Sequence, residues 1–228
     1  MEDWLQRTRA LLGDVNIRKL KTSKVCVFGV GGVGGHVCEA LARSGIGELV
    51  IVDNDTVNET NINRQIIATT DSVGELKVDV MERRLLSIDP DIKVTKYAVF
   101  YSAENADLVD IKSCNYIVDA VDHVPAKVEI ALTAKQLAIP VISSMGAGNK
   151  LDPTRFRVSD IYKTSVCPLA KIMRRRLKEA GIEHLKVVFS DEMPHTDIRD
   201  GIIPSIAFVP SAAGLVIASE VVRDICGI

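Results

Sequence analysis

The sequence predicts an α/β fold, a mostly parallel sheet flanked by helices with a C-terminal strand and helix extension. Three observations carry that prediction. Apolar runs of strand length alternate with amphipathic stretches through the first two-thirds of the chain. The first such run leads straight into the glycine-rich turn GVGGVGG at 29–35. The second run ends in an acid, Asp53.

Taken in order, 24–28 (KVCVF) reads as a buried strand and 36–43 as a helix with Val37, Ala40 and Leu41 on one side. Residues 48–52 (ELVIV) form a second strand. Residues 77–88 carry the helical period through Val80, Met81, Leu85 and Ile88. A third strand spans 92–98, a short helix 103–111, and a fourth strand 116–118. A helix over 127–137 and a strand over 140–144 (PVISS) complete the alternation. Beyond Asn149 the pattern changes. Strands are expected at 155–160 and 185–190, with a helix at 168–180 between them. Residues 191–204, with Pro194, Gly201 and Pro204, read as a loop, and 211–225 as a final apolar helix. Residues 1–150 thus make a nucleotide-binding core, and 151–228 an extension completing the same domain as its substrate and dimer region.

The 228 residues are 47% hydrophobic and 25% charged, ordinary for a soluble globular chain, and a net charge of −2 points to no partner by itself. Cys26, Cys38, Cys114, Cys167 and Cys226 stand singly. Without a Cys-x-x-Cys pair neither a structural zinc site nor a redox dithiol is expected, and reduced thiols in a cytoplasm are. The N-terminus has early acidic residues and no apolar core, so it does not read as a signal peptide. Residues 206–222 are almost uncharged but are interrupted by Pro210, Ser211 and Glu220. They are short for a membrane span and read as a buried helix, membrane contact being the alternative.

The turn contains G-x-G-x-x-G as Gly29, Gly31 and Gly34. Glycine permits positive φ there and lets backbone approach phosphate closely, while the following helix points its first amides at an anion. Asp53, at the end of the next strand, can accept hydrogen bonds from ribose hydroxyls. The whole is a Rossmann-like arrangement that suits NAD, FAD or ATP. The next segment separates them. Asp53 to Gln65 reads DNDTVNETNINRQ, which puts Asn61, Arg64 and Gln65 within one or two turns. A guanidinium between two amides suits a polyphosphate, because Arg presents a planar fork of donors. Lys77 follows at a helix start. The fourth strand runs into Asp119-Ala-Val-Asp122, where a carboxylate can hold Mg²⁺ together with phosphates.

GVGGVGG, D-N-D-x-V-x-x-x-N-x-N-R-Q, G-x-x-K and D-A-V-D, in that order, resemble the ubiquitin-activating-enzyme-like superfamily over roughly residues 7–150. The lack of zinc cysteines and of room for a catalytic-cysteine domain narrows the resemblance. RTRALLG near the start, ALARSGIGEL at 40–49 and MGAGNKLDPT at 145–154 are similar to the tRNA threonylcarbamoyladenosine dehydratase family. So are the segment 160–177 and VFS at 188–190; the C-terminus is shorter and differs.

The resemblance implies ATP-dependent adenylation of the threonylcarbamoyl carboxylate on a tRNA adenosine. The side chain's carbamoyl oxygen then closes an oxazolone ring as AMP leaves. It also implies roles. Gly29, Gly31, Gly32, Gly34, Asp53, Asp55, Asn61 and Gln65 would bind the nucleotide. Arg64 and Lys77 would contact phosphate and act in catalysis with Asp122, which would hold Mg²⁺. Arg7, with Arg9 close behind, would reach the ATP of a partner subunit in a homodimer; the other reading of both is that they solvate an N-terminal helix. A cysteine desulfurase and its sulfur-acceptor protein are further implied partners.

Lys171, Arg174, Arg175 and Arg176 crowd one predicted helix and are the candidate RNA contacts, with Arg155, Arg157 and Lys163 before it. A solvated helix face is the other reading of such a run. Cys167 is the best thiol candidate, but a small packed residue is the reading its sequence context favours. His36, His123, His184 and His195 have no metal spacing. Two other functions compete: an activator adenylating a ubiquitin-like sulfur carrier, and an NAD-binding redox sensor. The absent zinc cysteines argue against the first and the Asn61–Gln65 cluster against the second.

Overall fold

The structure, a computed structural model, describes residues 3–197 and 201–228. A single seven-stranded sheet runs through the molecule in the order β3-β2-β1-β4-β5-β7-β6. Its strands are β1 (Lys24–Phe28), β2 (Glu48–Val52), β3 (Lys93–Tyr97), β4 (Tyr116–Asp119), β5 (Val141–Ser144), β6 (Phe156–Asp160) and β7 (Lys186–Ser190). All neighbours pair in parallel except β6 with β7. Parallel strands need crossovers, which helices supply. These are α2 (Gly34–Arg43), α3 (Lys77–Ile88), α4 (Val124–Leu137) and α5 (Pro168–Glu179), framed by α1 (Gln6–Thr22) and α6 (Phe208–Cys226).

The central strands read as unbroken apolar runs because both faces are covered. Strand alternation divides them between two cores. Val25, Val27, Leu49 and Ile51 pack with Val37, Leu41 and Met81 of α2 and α3 and with Ile217 and Val221 of α6. Cys26, Phe28, Val50 and Val52 pack on the other face with Tyr101, Val109 and Ile130. A third cluster joins Ala170, Met173 and Leu177 of α5 to Val187 and Phe189 of β7.

The apolar character of α6 is spent on this core. Ala213, Ile217 and Val221 are fully buried, and a side-chain carbon on Gly214 would come within 2.5 Å of the Val33 carbonyl oxygen. Two helices lie that close only with glycine at the contact. No helix among the described residues is long and apolar enough to cross a membrane.

One element differs from the sequence reading, and another is named there only as the alternative for Arg7 and Arg9. The helix expected over 103–111 is only a single 3₁₀ turn, Ala106–Leu108. Val109 and Ile111 are buried one by one from an irregular segment, while Leu108 stays exposed. The N-terminal segment, where no periodicity marks an element, forms α1, which is kinked at Gly13 (φ +80°). Only Ile17 and Leu20 of that helix are buried, so it has no apolar stripe to read. The 191–204 loop is irregular where described, with 198–200 outside the described residues.

Candidate active site

The carboxyl ends of β1, β2, β4 and β5 open into one cavity of about 930 Å³. This is where open α/β sheets bind ligands. The turn from β1 to α2 shapes its floor. Gly29 has φ +84°, its N–H donates to the Val52 carbonyl (2.7 Å), and a side-chain carbon there would sit 2.8 Å from the Ala120 oxygen. Gly31 and Gly32 line the cavity. Gly34 does not, and a side chain on it would collide with the Gly29 carbonyl. Its glycine serves helix packing against the turn.

Asp53 follows β2. Its Oδ2 accepts from the Val30 N–H (2.8 Å) and its Oδ1 from the Asp55 N–H (2.9 Å). Burial pushes this carboxyl above the usual range, opposed chiefly by the charge on Lys77. Lys77, buried as the first residue of α3, donates from Nζ to Asp55 Oδ2 at 2.7 Å. Arg64 lines the cavity while its Nη1 donates to the Thr60 carbonyl (2.8 Å) and Asn63 Oδ1 (2.9 Å). Asn61 is turned into its own loop. Its Oδ1 accepts from the Asn58 N–H (3.1 Å), capping a 3₁₀ turn, and it does not line the cavity. Gln65 is buried at the cavity wall, and its Oε1 has no hydrogen-bond partner among the described residues. A buried amide oxygen left so is costly unless a ligand or water reaches it. Together the glycine floor, the Asp53 acceptors and this orphaned amide fit a nucleotide.

Two acids end β4. Asp119 is buried and takes hydrogen bonds from Ser143 Oγ (2.5 Å) and Lys127 Nζ (2.8 Å). Lys127 also donates to the carbonyls of Val121 (3.0 Å) and Ser144 (2.8 Å), tying β4 to β5 beneath the cavity. The sequence reading missed this pair; a lysine among the buried residues Ala126, Ile130 and Ala134 was its only signal. Asp122 is exposed at the cavity and makes no hydrogen bond or ion pair among the described residues. Of the carboxylates lining the cavity, Asp55 is paired with Lys77, Asp53 accepts from two backbone N–H groups and Asp197 belongs to the segment after Ser190, so Asp122 is the unbonded carboxylate at the end of β4 that could hold a metal. Among the described residues no group of three or more His, Cys, Asp or Glu could hold one alone. A hard cation bound by one carboxylate and ligand phosphates fits that donor set.

The far wall is 145–150, beside residues 194–197 and 203–205. Asn149, at φ +58°, anchors it. Its Oδ1 accepts from the His195 and Thr196 N–H groups (3.1 and 3.0 Å), and its Nδ2 donates to the Thr196 carbonyl (2.6 Å). Lys150 is buried, with Nζ donating to the Glu192 carbonyl at 2.6 Å. Cys167, also buried at the wall, precedes α5. Val166 before it has φ +63°, a strained position for a β-branched residue. The sequence reading assigned Asn149 and Lys150 no role. His123 caps α4, its Nδ1 accepting from the Ala126 N–H (3.4 Å), and meets Phe100 edge-on at 5.0 Å.

The basic residues divide. Arg174 turns inward to the Thr164 carbonyl (3.1 Å) and hydroxyl. Arg155 and Arg157 both bind Asp191 (2.7 and 2.8 Å). Lys171, Arg175 and Arg176 stay exposed on α5, the last two only loosely near Glu179 (3.9 and 3.6 Å). On α1, Arg9 is held by Asp3 (2.9 Å) and Asp14 (2.5 Å). Arg7 is exposed and unbonded among the described residues.

The ThiF family model matches residues 5–228. The chain is 41% identical to tRNA threonylcarbamoyladenosine dehydratase of Bacillus subtilis (strain 168), covering 96% of this chain and 93% of that one. It is 39% identical to the protein of the same name from Escherichia coli (strain K12), over 77% of this chain and 66% of that one. Among solved structures, E. coli tRNA N6-threonylcarbamoyladenosine dehydratase in complex with ATP superposes with a TM-score of 0.92 at 33% identity, covering 100% of this chain and 96% of that one. The same protein in complex with AMP gives a TM-score of 0.93.

Proposed function

This chain belongs to the ThiF family, and on that premise we propose that it is an ATP-dependent tRNA threonylcarbamoyladenosine dehydratase. One observation carries the reading. A single cavity joins a phosphate loop, Arg64, Lys77 and Asp122 to a second wall with room for an acceptor.

In this reading ATP lies with its ribose on Asp53, its base against Val99 and Phe100, and its phosphates over the Gly31–Gly32 turn toward Arg64 and Lys77. Asp122 would hold Mg²⁺, which would supply charge neutralisation to the phosphates. An oxygen of the threonylcarbamoyl carboxylate attacks the α-phosphorus and pyrophosphate leaves. The carbamoyl oxygen then attacks the activated acyl carbon, a carbamoyl nitrogen gives up its proton, and AMP leaves as the ring closes. The protein mainly positions the reactants and stabilises charge. The nucleophile of the second step belongs to the substrate, so no enzyme thiol is needed and Cys167 packs.

The substrate's tRNA runs over Lys171, Arg175 and Arg176 of α5, the helix whose first residues, Pro168 and Leu169, line the cavity. The enzyme is a cytoplasmic homodimer of one-domain chains, residues 151–228 completing the domain begun by 1–150. The exposed Leu11 and Val15 of α1 and Leu215 of α6 support such an interface. Arg7, being unbonded where Arg9 is paired, reaches the partner's ATP. The family resemblance adds a cysteine desulfurase and its sulfur acceptor as partners.

The test is release of AMP and pyrophosphate with threonylcarbamoyl-bearing tRNA, unmodified tRNA or no acceptor. AMP formed only with the modified tRNA supports the reading. If neither tRNA is turned over, the substrate moves to a protein carboxylate.

A further inference from the structure

Three lysines are buried among the described residues: Lys77, Lys127 and Lys150. The first two are neutralised, by Asp55 at 2.7 Å and Asp119 at 2.8 Å. Lys150 is not. Its bonded partner is a carbonyl, that of Glu192, which leaves two of its three N–H donors unused among the described residues. The Glu192 carboxylate is engaged elsewhere. It accepts from the N–H groups of Leu151 (2.9 Å) and Asp152 (3.0 Å) and lies 3.5 Å from His195 Nε2. A buried ammonium with no carboxylate in contact is costly, and burial holds Lys150 below the usual lysine range, opposed chiefly by the neighbouring Cys167 and Glu192.

We propose that Lys150 is a carboxylate-binding subsite at the acceptor end of the cavity, docking the substrate carboxylate that is to be adenylated. The inference rests on the proposed dehydratase reading. Sheet order decides between carboxylate and phosphate. Lys150 follows β5, two strands from β1 and three from β2, whereas Arg64 and Lys77 already serve the phosphate side. In a water-poor pocket an ammonium attracts a carboxylate strongly. Adenylation removes the carboxylate's charge, so Lys150 grips the acceptor before the chemistry and loosens afterwards. It therefore acts on substrate binding more than on the chemical step.

The experiment measures binding of the nucleoside threonylcarbamoyladenosine and of its methyl ester, with a non-hydrolysable ATP analogue present. Wild type, Lys150→Met and Lys150→Arg are compared. Wild type is expected to prefer the acid by about tenfold or more, the worth of one charge-assisted hydrogen bond. Lys150→Met erases the preference and leaves affinity for the ATP analogue within about twofold, while Lys150→Arg keeps part of it. In turnover the KM for modified tRNA rises in Lys150→Met while kcat changes less. The proposal is overturned if wild type does not discriminate, if Lys150→Met still does, or if the ATP analogue is lost in parallel. Discrimination through Lys150 with no AMP formed from modified tRNA would sink the dehydratase reading and leave the subsite standing.

Discussion

The wall that carries Asp53, Arg64 and Lys77 is tied together over short stretches of chain. Its bonds span 2 residues (Asp55 to Asp53), 22 (Lys77 to Asp55) and 23 (Val30 to Asp53). The wall at 145–150 depends on distant partners. Lys150 reaches Glu192 across 42 residues, and Asn149 reaches His195 and Thr196 across 46 and 47. The nucleotide side is therefore formed by one strand, one turn and the next strand. The opposite wall is held by contacts from Glu192, His195, Thr196 and Pro204. The difference separates two functions. On the proposed function, nucleotide binding belongs to the locally tied floor and acceptor binding to the wall held by distant partners.

The largest effect should come from the element both walls share. Lys127→Met leaves Asp119 charged and buried between β4 and β5, costing about 3–5 kcal/mol of stability. Urea denaturation measures it, and a loss below about 1 kcal/mol would show that the pair does not hold the walls together. Next are Asp122→Ala and Arg64→Ala, each expected to lower kcat about 10²–10³-fold with the fold kept, as for loss of a transition-state charge contact. Steady-state AMP release reads this, and a fall confined to the acceptor KM would place those residues on the other wall.

Asn149→Ala probes the distant partners directly. It strips the acceptor from the His195 and Thr196 N–H groups and puts alanine at φ +58°. The acceptor KM should rise about tenfold and that of ATP stay within about twofold, on the order of 1–3 kcal/mol for the lost bonds. Equal effects on both would erase the distinction between the walls.

Lys150→Met should raise the melting temperature at neutral pH. A lysine whose folded pKa is lowered makes the native state bind fewer protons than the unfolded one, so wild-type stability rises with pH between the two pKa values. The variant's advantage must then shrink as the pH approaches the ordinary lysine range. An advantage that is flat with pH would mean that packing, not charge, explains it. The smallest effects belong to the basic helix. Lys171→Ala and Arg175→Ala should each lower the salt slope of tRNA binding by about one unit or slightly less, whereas Arg174→Ala, tied to Thr164, should leave the slope unchanged.

Much of the nucleotide wall could be read in the chain. A strand, a glycine turn, a helix and an acid at the next strand end are consecutive, and the physics that links them is local. Gly29 and Gly34 show the limit of that reading. Both fit the motif, yet Gly29 is needed for positive φ beneath the cavity and Gly34 for contact between turn and helix. Asn61 shows it again, since amide donors in a polar loop can face a ligand or close their own turn, and here the turn took it. Lys127 carried one faint signal, its place on the apolar face of α4, and Lys150 none, because its burial depends on residues more than 40 positions away.

Sequence alone determined the α/β order, the parallel central strands and the nucleotide floor, because periodicity and turn chemistry act between residues close along the chain. Only the tertiary structure decided which buried lysines are neutralised, which arginines remain free, and that a loop some 45 residues away completes the acceptor wall. Those outcomes depend on which charges meet in space, and no local pattern encodes that meeting.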